Sequence, residues 1–220
     1  MKTIFLSVKA QMITFFSVLI IYLAIKLYLP NKKLIQPKSS VNRDEFMSSV
    51  QDGDLLATRA CNNWMSRIHS FFLKSPIAHV GIALKTKKTV FLFEASAPRG
   101  AQIRDIDDYM REGAEALWWR PLLIDNQKRS EIREQVEKYW NHPYSWNFLK
   151  HLPKELFGAE APFMIEDDDD SSSCGDLIAK IYKHVGIIQD SSLIWFPKKF
   201  LELQNDKFGL PVNVIIEKNK

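Results

Sequence analysis

The sequence predicts an α+β domain, an antiparallel sheet with packed helices, preceded by one N-terminal transmembrane helix. Three observations predict it. Short alternating segments suited to strands lie between residues 55 and 120, and segments with apolar residues at helical spacing follow. That order suits separate strand and helix layers better than a regular βαβ alternation. The third is an uncharged apolar run near the amino terminus of a chain whose 220 residues suffice for one globular domain plus an appendage.

The apolar run AQMITFFSVLIIYLAI lies between Lys9 and Lys26, and apolar character resumes at Leu27, Tyr28 and Leu29. With Lys26 snorkelling toward headgroups, residues 10–29 supply the roughly 20 residues that span a bilayer. A signal peptide wants small residues at its cleavage site, where this chain has Lys26, Leu27, Tyr28 and Pro30. A buried helix normally shows a polar face, and this run has almost none. Residues 1–29 therefore read as an uncleaved membrane anchor, with the lipid bilayer as partner. Lys2 and Lys9 precede the run, whereas Lys26, Lys32, Lys33, Lys38 and Arg43 follow it. The positive-inside bias places the following domain in the cytosol, so the expected protein is single-pass. Cys61 and Cys174 are the only cysteines, which offers no disulfide framework and agrees with a reducing compartment.

The net charge of +4 is not a nucleic-acid signal. Residues 1–43 hold seven basic side chains and no acidic one, which leaves the rest of the chain at −3. The basic charge flanks the apolar run, where it favours anionic lipid, and the domain shows no phosphate-binding stripe.

Residues 30–43 are polar and proline-punctuated and read as a linker, so the domain is expected over residues 44–220. Gly53 and Asp54 form a turn into a strand over 55–58. Residues 61–73 place Trp64, Ile68, Phe71 and Phe72 on one helical stripe. Strands over 79–84 and 89–95 are separated by a lysine-rich turn, and another strand over 116–120 ends at Pro121. Residues 127–140 are helical with Ile132, Val136, Tyr139 and Trp140 on one side. The acidic run at 166–170 reads as a solvated loop, and a second helix spans 174–185.

Three serines precede Cys174, so the thiol falls in the first turn of a capped helix. Leu177, Ile178, Ile181, Tyr182 and Val185 recur at helical spacing and pin that helix to a core. The partial positive charge of a helix start favours the thiolate that a nucleophile needs. A lone cysteine is more often a small buried hydrophobe, and Cys61 keeps that reading. Negative charge just upstream of Cys174 opposes the thiolate, so the acidic loop either swings away or regulates access, and the sequence leaves both open.

His79 opens the alternating segment HVGIAL, and Glu94 lies in the next strand with Phe91 and Phe93 as large apolar neighbours, where a carboxylate wants a partner. A hairpin centred on Thr86 and Lys87 sets His79 directly opposite Glu94, with Cβ atoms about 5 Å apart. A strand-borne histidine oriented by an acid, beside a cysteine at a helix start, is a nucleophile–base–orienter set. His69 and His184 fall in helical patterns and His142 and His151 in or near polar loops, with less to recommend them.

The blocks GDLL (53–56), SPIAHVGIAL (75–84), FEA (93–95), WRP (119–121), HPYSW (142–146) and SSCGDLIAKIYKHVG (172–186) carry a family resemblance. In that order they resemble the circularly permuted papain-like proteins of the NlpC/P60 superfamily. The likeness is strongest to the branch of poxvirus proteins and bacterial permuted amidases, and lecithin retinol acyltransferase is more distant. It covers roughly residues 44–190. The resemblance implies His79 as base, Glu94 as orienting acid and Cys174 as nucleophile. It makes Gly53 and Asp54 structural and Tyr144 at most a substrate-pocket residue. Neither the apolar run nor the acidic loop belongs to the shared pattern.

The expectation is a membrane-anchored cysteine hydrolase cleaving an amide, ester or thioester bond through a Cys-His-Glu triad and an acyl-enzyme. Its substrate is a peptide, acyl-amide or lipid. No cofactor or metal is implied, because these residues lack the close-spaced ligand pairs of zinc sites. A membrane-surface acyltransferase or lipid hydrolase, and an inactive papain-like binding module, are the alternatives.

Overall fold

The computed structural model describes residues 39–59, 75–111, 116–146, 171–189, 197–203, 207–209 and 211–215, with Ser17 and Ile21. The elements in chain order are β1 (Ser39–Asn42), α1 (Arg43–Ser49), β2 (Leu55–Arg59), β3 (Ile77–Lys85), β4 (Val90–Ser96), β5 (Gly100–Asp105) and α2 (Ile106–Arg111). They continue as β6 (Ala116–Trp119), α3 (Asn126–Tyr139), α4 (Cys174–His184), α5 (Pro197–Glu202) and β7 (Val212–Ile215). The strands form one sheet in the order β1-β7-β6-β2-β3-β4-β5. β1 and β7 pair in parallel, and every other neighbouring pair is antiparallel. The fold class is α+β with a largely antiparallel sheet and packed helices.

Alternation along the strands sorts the core onto two faces. Leu55, Ala57, Val80, Ile82, Phe93 and Leu117 pack with the apolar stripe of α4, which includes Leu177, Ile178 and Ile181, and with Ile132 and Val136 of α3. Leu56, Ala83, Leu92 and Trp118 face the other way, against Phe46 of α1 and Ile106 and Tyr109 of α2. Each helix buries its apolar side, and capping side chains satisfy N–H groups at the helix starts. Asp125 accepts from the Lys128 N–H at 2.8 Å, and Ser173 from the Asp176 N–H at 3.4 Å.

The Gly53–Asp54 turn is a fixed point of this packing. Gly53 adopts φ +81°, a conformation that suits glycine. Asp54 is fully buried and accepts from Trp118 Nε1 at 2.8 Å and from Arg120 at 3.1 Å, with Arg129 at 3.6 Å. Tyr182 of α4 donates to the Gly53 carbonyl at 2.8 Å, which ties the Cys174 helix to the start of β2. A buried carboxylate with these partners explains why the GDLL block matters structurally.

Three expectations shift. Residues 39–42, read as linker from their composition, form β1, because β7 supplies a partner edge that local polarity does not reveal. The sheet therefore begins before residue 44. The lysine-rich turn is centred on Lys87 and Lys88 rather than on Thr86 and Lys87. Thr86 closes it: its N–H donates to the Thr89 carbonyl at 2.8 Å, and its hydroxyl oxygen accepts from the Thr89 N–H at 3.1 Å. Segments 100–105, 197–202 and 212–215, assigned to no element from sequence, are β5, α5 and β7. The expected anchor (apart from Ser17 and Ile21), the 61–73 helix with Cys61 and the acidic run lie outside the described residues. Among the described residues, no helix is long and apolar enough to cross a membrane.

Candidate active site

The moved turn changes how His79 and Glu94 meet. β3 and β4 pair Ile82 with Phe93 and Lys85 with Val90, two residues away from the register that sets His79 opposite Glu94. A two-residue slip keeps every side chain on its own face, so the pair survives as a diagonal one. His79 Nε2 and Glu94 Oε2 lie 2.8 Å apart. The histidine side chain is 21% exposed and the carboxylate 1%.

Cys174 is the first residue of α4, buried at 5% exposure, immediately after the Ser173 cap. The body of α4 packs on the Val80–Ile82 face, opposite to that of Gly81 and Ala83. Cys174, the first residue of that helix, is the α4 residue whose charge acts on His79. Burial acts to lower the proton affinity of His79, but Cys174 and Glu94 outweigh it. Each contributes charge and a hydrogen bond, and together they hold the imidazole pKa well above its ordinary value. With Nε2 on Glu94, Nδ1 is the ring nitrogen that the carboxylate does not engage. Burial also raises the Glu94 pKa, yet His79, Gln102 and Arg104 bring it below the ordinary carboxylate value.

Behind Glu94 stand residues that the sequence reading did not single out. Gln102 of β5 pairs directly with Glu94 and donates from Nε2 to Oε1 at 2.9 Å. Arg104, one pleat further along, lies 3.6 Å from the same oxygen and over the Tyr109 ring at 5.6 Å. The Tyr109 ring sits 6.3 Å from that of His79, and its hydroxyl donates to Thr58 Oγ1 at 3.2 Å. The signal in the sequence was the alternation of Gln102 and Arg104 with Ala101 and Ile103. It lies within a strand of six residues, and no apolar run frames it.

Tyr144 reaches the site by another route. The Ala101 N–H donates to the His142 carbonyl at 2.8 Å, and the Asn141 N–H donates back to Ala101 at 3.0 Å. The Ser145 N–H donates to Ser172 and the Ser172 N–H to Pro143, each at 3.2 Å. The loop is thus strung between β5 and the segment that enters α4. Burial, then the charges of Cys174 and Asp176, push the Tyr144 phenol well above its ordinary pKa, so it stays a neutral hydrogen-bonding group. Its ring packs edge-on with half-exposed Trp146 at 5.1 Å.

His79 and Glu94 are therefore in contact, Cys174 acts on the same imidazole, and Tyr144 is bridged to Ser172 just before the Cys174 helix. His142 instead packs against Tyr139, His184 is exposed, and His69 and His151 lie outside the described residues. Among the described residues, no group of three or more His, Cys, Asp or Glu side chains is placed to hold a metal ion. Chemically, the arrangement offers a buried thiol at a helix start, an imidazole with one nitrogen on a carboxylate, and a neutral phenol nearby.

No protein-family model matches this chain, and no curated protein matches it. Among solved structures it is similar to the metalloprotein yiiX from Escherichia coli O157:H7. That likeness has a TM-score of 0.49 and 16% identity, and covers 63% of this chain and 67% of that one. Similarity at this level carries no argument about site or function.

Proposed function

We propose that the protein is a cysteine hydrolase of the permuted papain-like type, acting on an amide, ester or thioester carbonyl. The observation that carries the proposal is the 2.8 Å contact of His79 Nε2 with the buried carboxylate of Glu94, with Cys174 buried at a helix start and acting on the same imidazole. In this reading Glu94 keeps the imidazole proton on Nε2, so Nδ1 can accept the thiol proton. The Cys174 sulfur attacks the carbonyl carbon, a C–S bond forms, and the carbonyl electrons move onto oxygen. N–H groups at the start of α4 stabilise that oxyanion. Collapse expels the amine, alcohol or thiol leaving group, which takes its proton from Nδ1 and leaves a thioester on Cys174. Water then repeats the sequence and releases the carboxylic acid. Tyr144, with Trp146 beside it, forms the aromatic wall of the acyl pocket.

The proposal includes the membrane: residues 1–29 tether the domain to a bilayer, with the domain on the cytosolic side. A membrane-surface acyltransferase shares every step up to the thioester and differs only in the acceptor that resolves it.

The test is a turnover panel of amides, esters, thioesters and phospholipids, run on the full chain and on Cys174→Ala and His79→Ala. Hydrolysis of one class, abolished in Cys174→Ala and near background in His79→Ala, is expected. Transfer of the acyl group to a second lipid in place of water selects the acyltransferase. Binding without turnover by any class overturns the enzyme reading in favour of a binding module.

A further inference from the structure

The orienting carboxylate has an electrostatic problem of its own. At 1% exposure, an ionised Glu94 has lost almost all of its water, a cost that burial alone resolves by adding a proton. A protonated Glu94 donates rather than accepts. His79 Nε2 then becomes the acceptor, the imidazole proton moves to Nδ1, and the nitrogen facing Cys174 can no longer take the thiol proton. The base function of His79 thus depends on whatever keeps Glu94 an acceptor.

We infer that Gln102 and Arg104 are positioning residues that hold Glu94 as an ionised acceptor and thereby set the His79 tautomer. The inference rests on the Cys174–His79 reading above and extends it to a further layer of residues behind the carboxylate. Three features of β5 support it. Gln102 is the direct cross-strand partner of Glu94 and donates to Oε1 at 2.9 Å, leaving Oε2 for His79. Arg104 follows on the same face, one pleat along, and brings a cation to 3.6 Å from Oε1. The Arg104 guanidinium lies over the Tyr109 ring, while the Tyr109 hydroxyl is tied to Thr58, the cross-strand partner of His79. Among the described residues, the charged or titratable groups at this cluster are His79 from β3, Arg104 from β5, Tyr109 from α2 and Cys174 from α4. Arg104 is the one that is cationic at every working pH.

A purely structural role for Arg104 and Gln102 predicts lost stability with unaltered proton chemistry, so the test reads proton chemistry without a substrate. The rate of Cys174 alkylation by iodoacetamide is measured from pH 4.5 to 9 by peptide mass spectrometry, in the full-length Cys61→Ala background. Arg104→Met, Arg104→Lys, Gln102→Leu and His79→Ala are compared, with melting followed by circular dichroism. In Arg104→Met the alkylation rate on the acid side should fall about tenfold, the change for one unit of differential proton affinity. Arg104→Lys should recover most of that loss, and Gln102→Leu should show a smaller fall in the same direction. Because Gln102→Leu nearly keeps the side-chain size, it carries the test if Arg104→Met fails to fold. Arg104→Met and Gln102→Leu profiles that superimpose on the parent, while His79→Ala shifts its profile, overturn the inference and leave the Cys174–His79 pair standing. A His79→Ala profile identical to the parent's overturns the pair itself and the inference with it.

Discussion

Replacing Glu94 by glutamine exchanges one carboxylate oxygen for an NH₂ group, and the structure predicts the effect. Glu94 accepts at both oxygens, from Gln102 Nε2 at 2.9 Å and from His79 Nε2 at 2.8 Å. A carboxamide has one acceptor and one donor end, so it cannot satisfy two donors with separate oxygens. The conflict resolves if Gln102 flips its own amide and accepts from the introduced NH₂ group, which leaves the introduced amide oxygen for His79. The imidazole proton then stays on Nε2 and the fold persists. What is lost is charge: a charge-assisted hydrogen bond of about 1.5–3 kcal/mol becomes a neutral one of about 1 kcal/mol. The difference of about 0.5–2 kcal/mol destabilises the imidazolium and corresponds to a fall of about two- to thirtyfold in Cys174 reactivity near neutral pH. The assay is the alkylation rate of Cys174 in the Cys61→Ala background, with melting recorded in parallel. An unchanged rate refutes the orienting role of Glu94. A folded Glu94→Gln protein as unreactive as His79→Ala refutes the amide-flip reasoning.

Other outcomes follow from the same contacts. Asp54→Ala leaves Trp118 Nε1 and the arginines facing Asp54 without their carboxylate, and should cost about 3–5 kcal/mol in denaturant melts. Gly100 has φ +80°, and a Cβ there would collide with the His142 carbonyl oxygen. Gly100→Ala should therefore lose about 1–3 kcal/mol of stability and weaken substrate binding through the displaced Tyr144 loop. The stability that His79 contributes is fully present below its ordinary value of 6.5 and is lost as pH rises through its raised folded value. The contribution of Glu94 is present above its ordinary value of 4.5 and is lost as pH falls through its lowered folded value. The gap in Tm between parent and Glu94→Ala should accordingly be widest between pH 4.5 and 6.5 and narrow on both sides. Alkaline carbonate should fail to extract the full chain from membranes, and its release would remove the anchor from the proposal.

Where periodicity was strong, the elements were legible in the sequence. The α4 stripe of Leu177, Ile178, Ile181 and Tyr182 is apolar at helical spacing, and the helix runs over Cys174–His184 behind its serine cap. The alternation at His79–Leu84 likewise marks β3, although the strand begins at Ile77. Elements whose stability comes from partners far along the chain were not legible. β1 and β7 are four residues each and pair with one another from opposite ends of the domain, so neither carries a local signature.

The residues of the candidate site were legible as local patterns, and their register was not. A cysteine at a helix start and a histidine in an alternating strand are local patterns, and so is a carboxylate among phenylalanines. Register depends on turn chemistry, and the Thr86 side-chain bonds that set it are invisible to a loop-length argument. The slip was even in number, which is why face assignments stood while the pairing moved. Gln102 and Arg104 were missed because polar side chains on a short strand read as solvent-facing until the carboxylate opposite them is placed.

Cysteine hydrolysis by this chain requires that Cys174 be its reactive thiol. The direct measurement is competition between its two cysteines: folded full-length protein is treated with limiting iodoacetamide near neutral pH, and each cysteine peptide is quantified over time. Cys174 should be alkylated faster than Cys61 although it is buried, and the advantage should disappear in His79→Ala. Equal rates for the two thiols, or a faster Cys61, contradict the assignment of Cys174 as nucleophile.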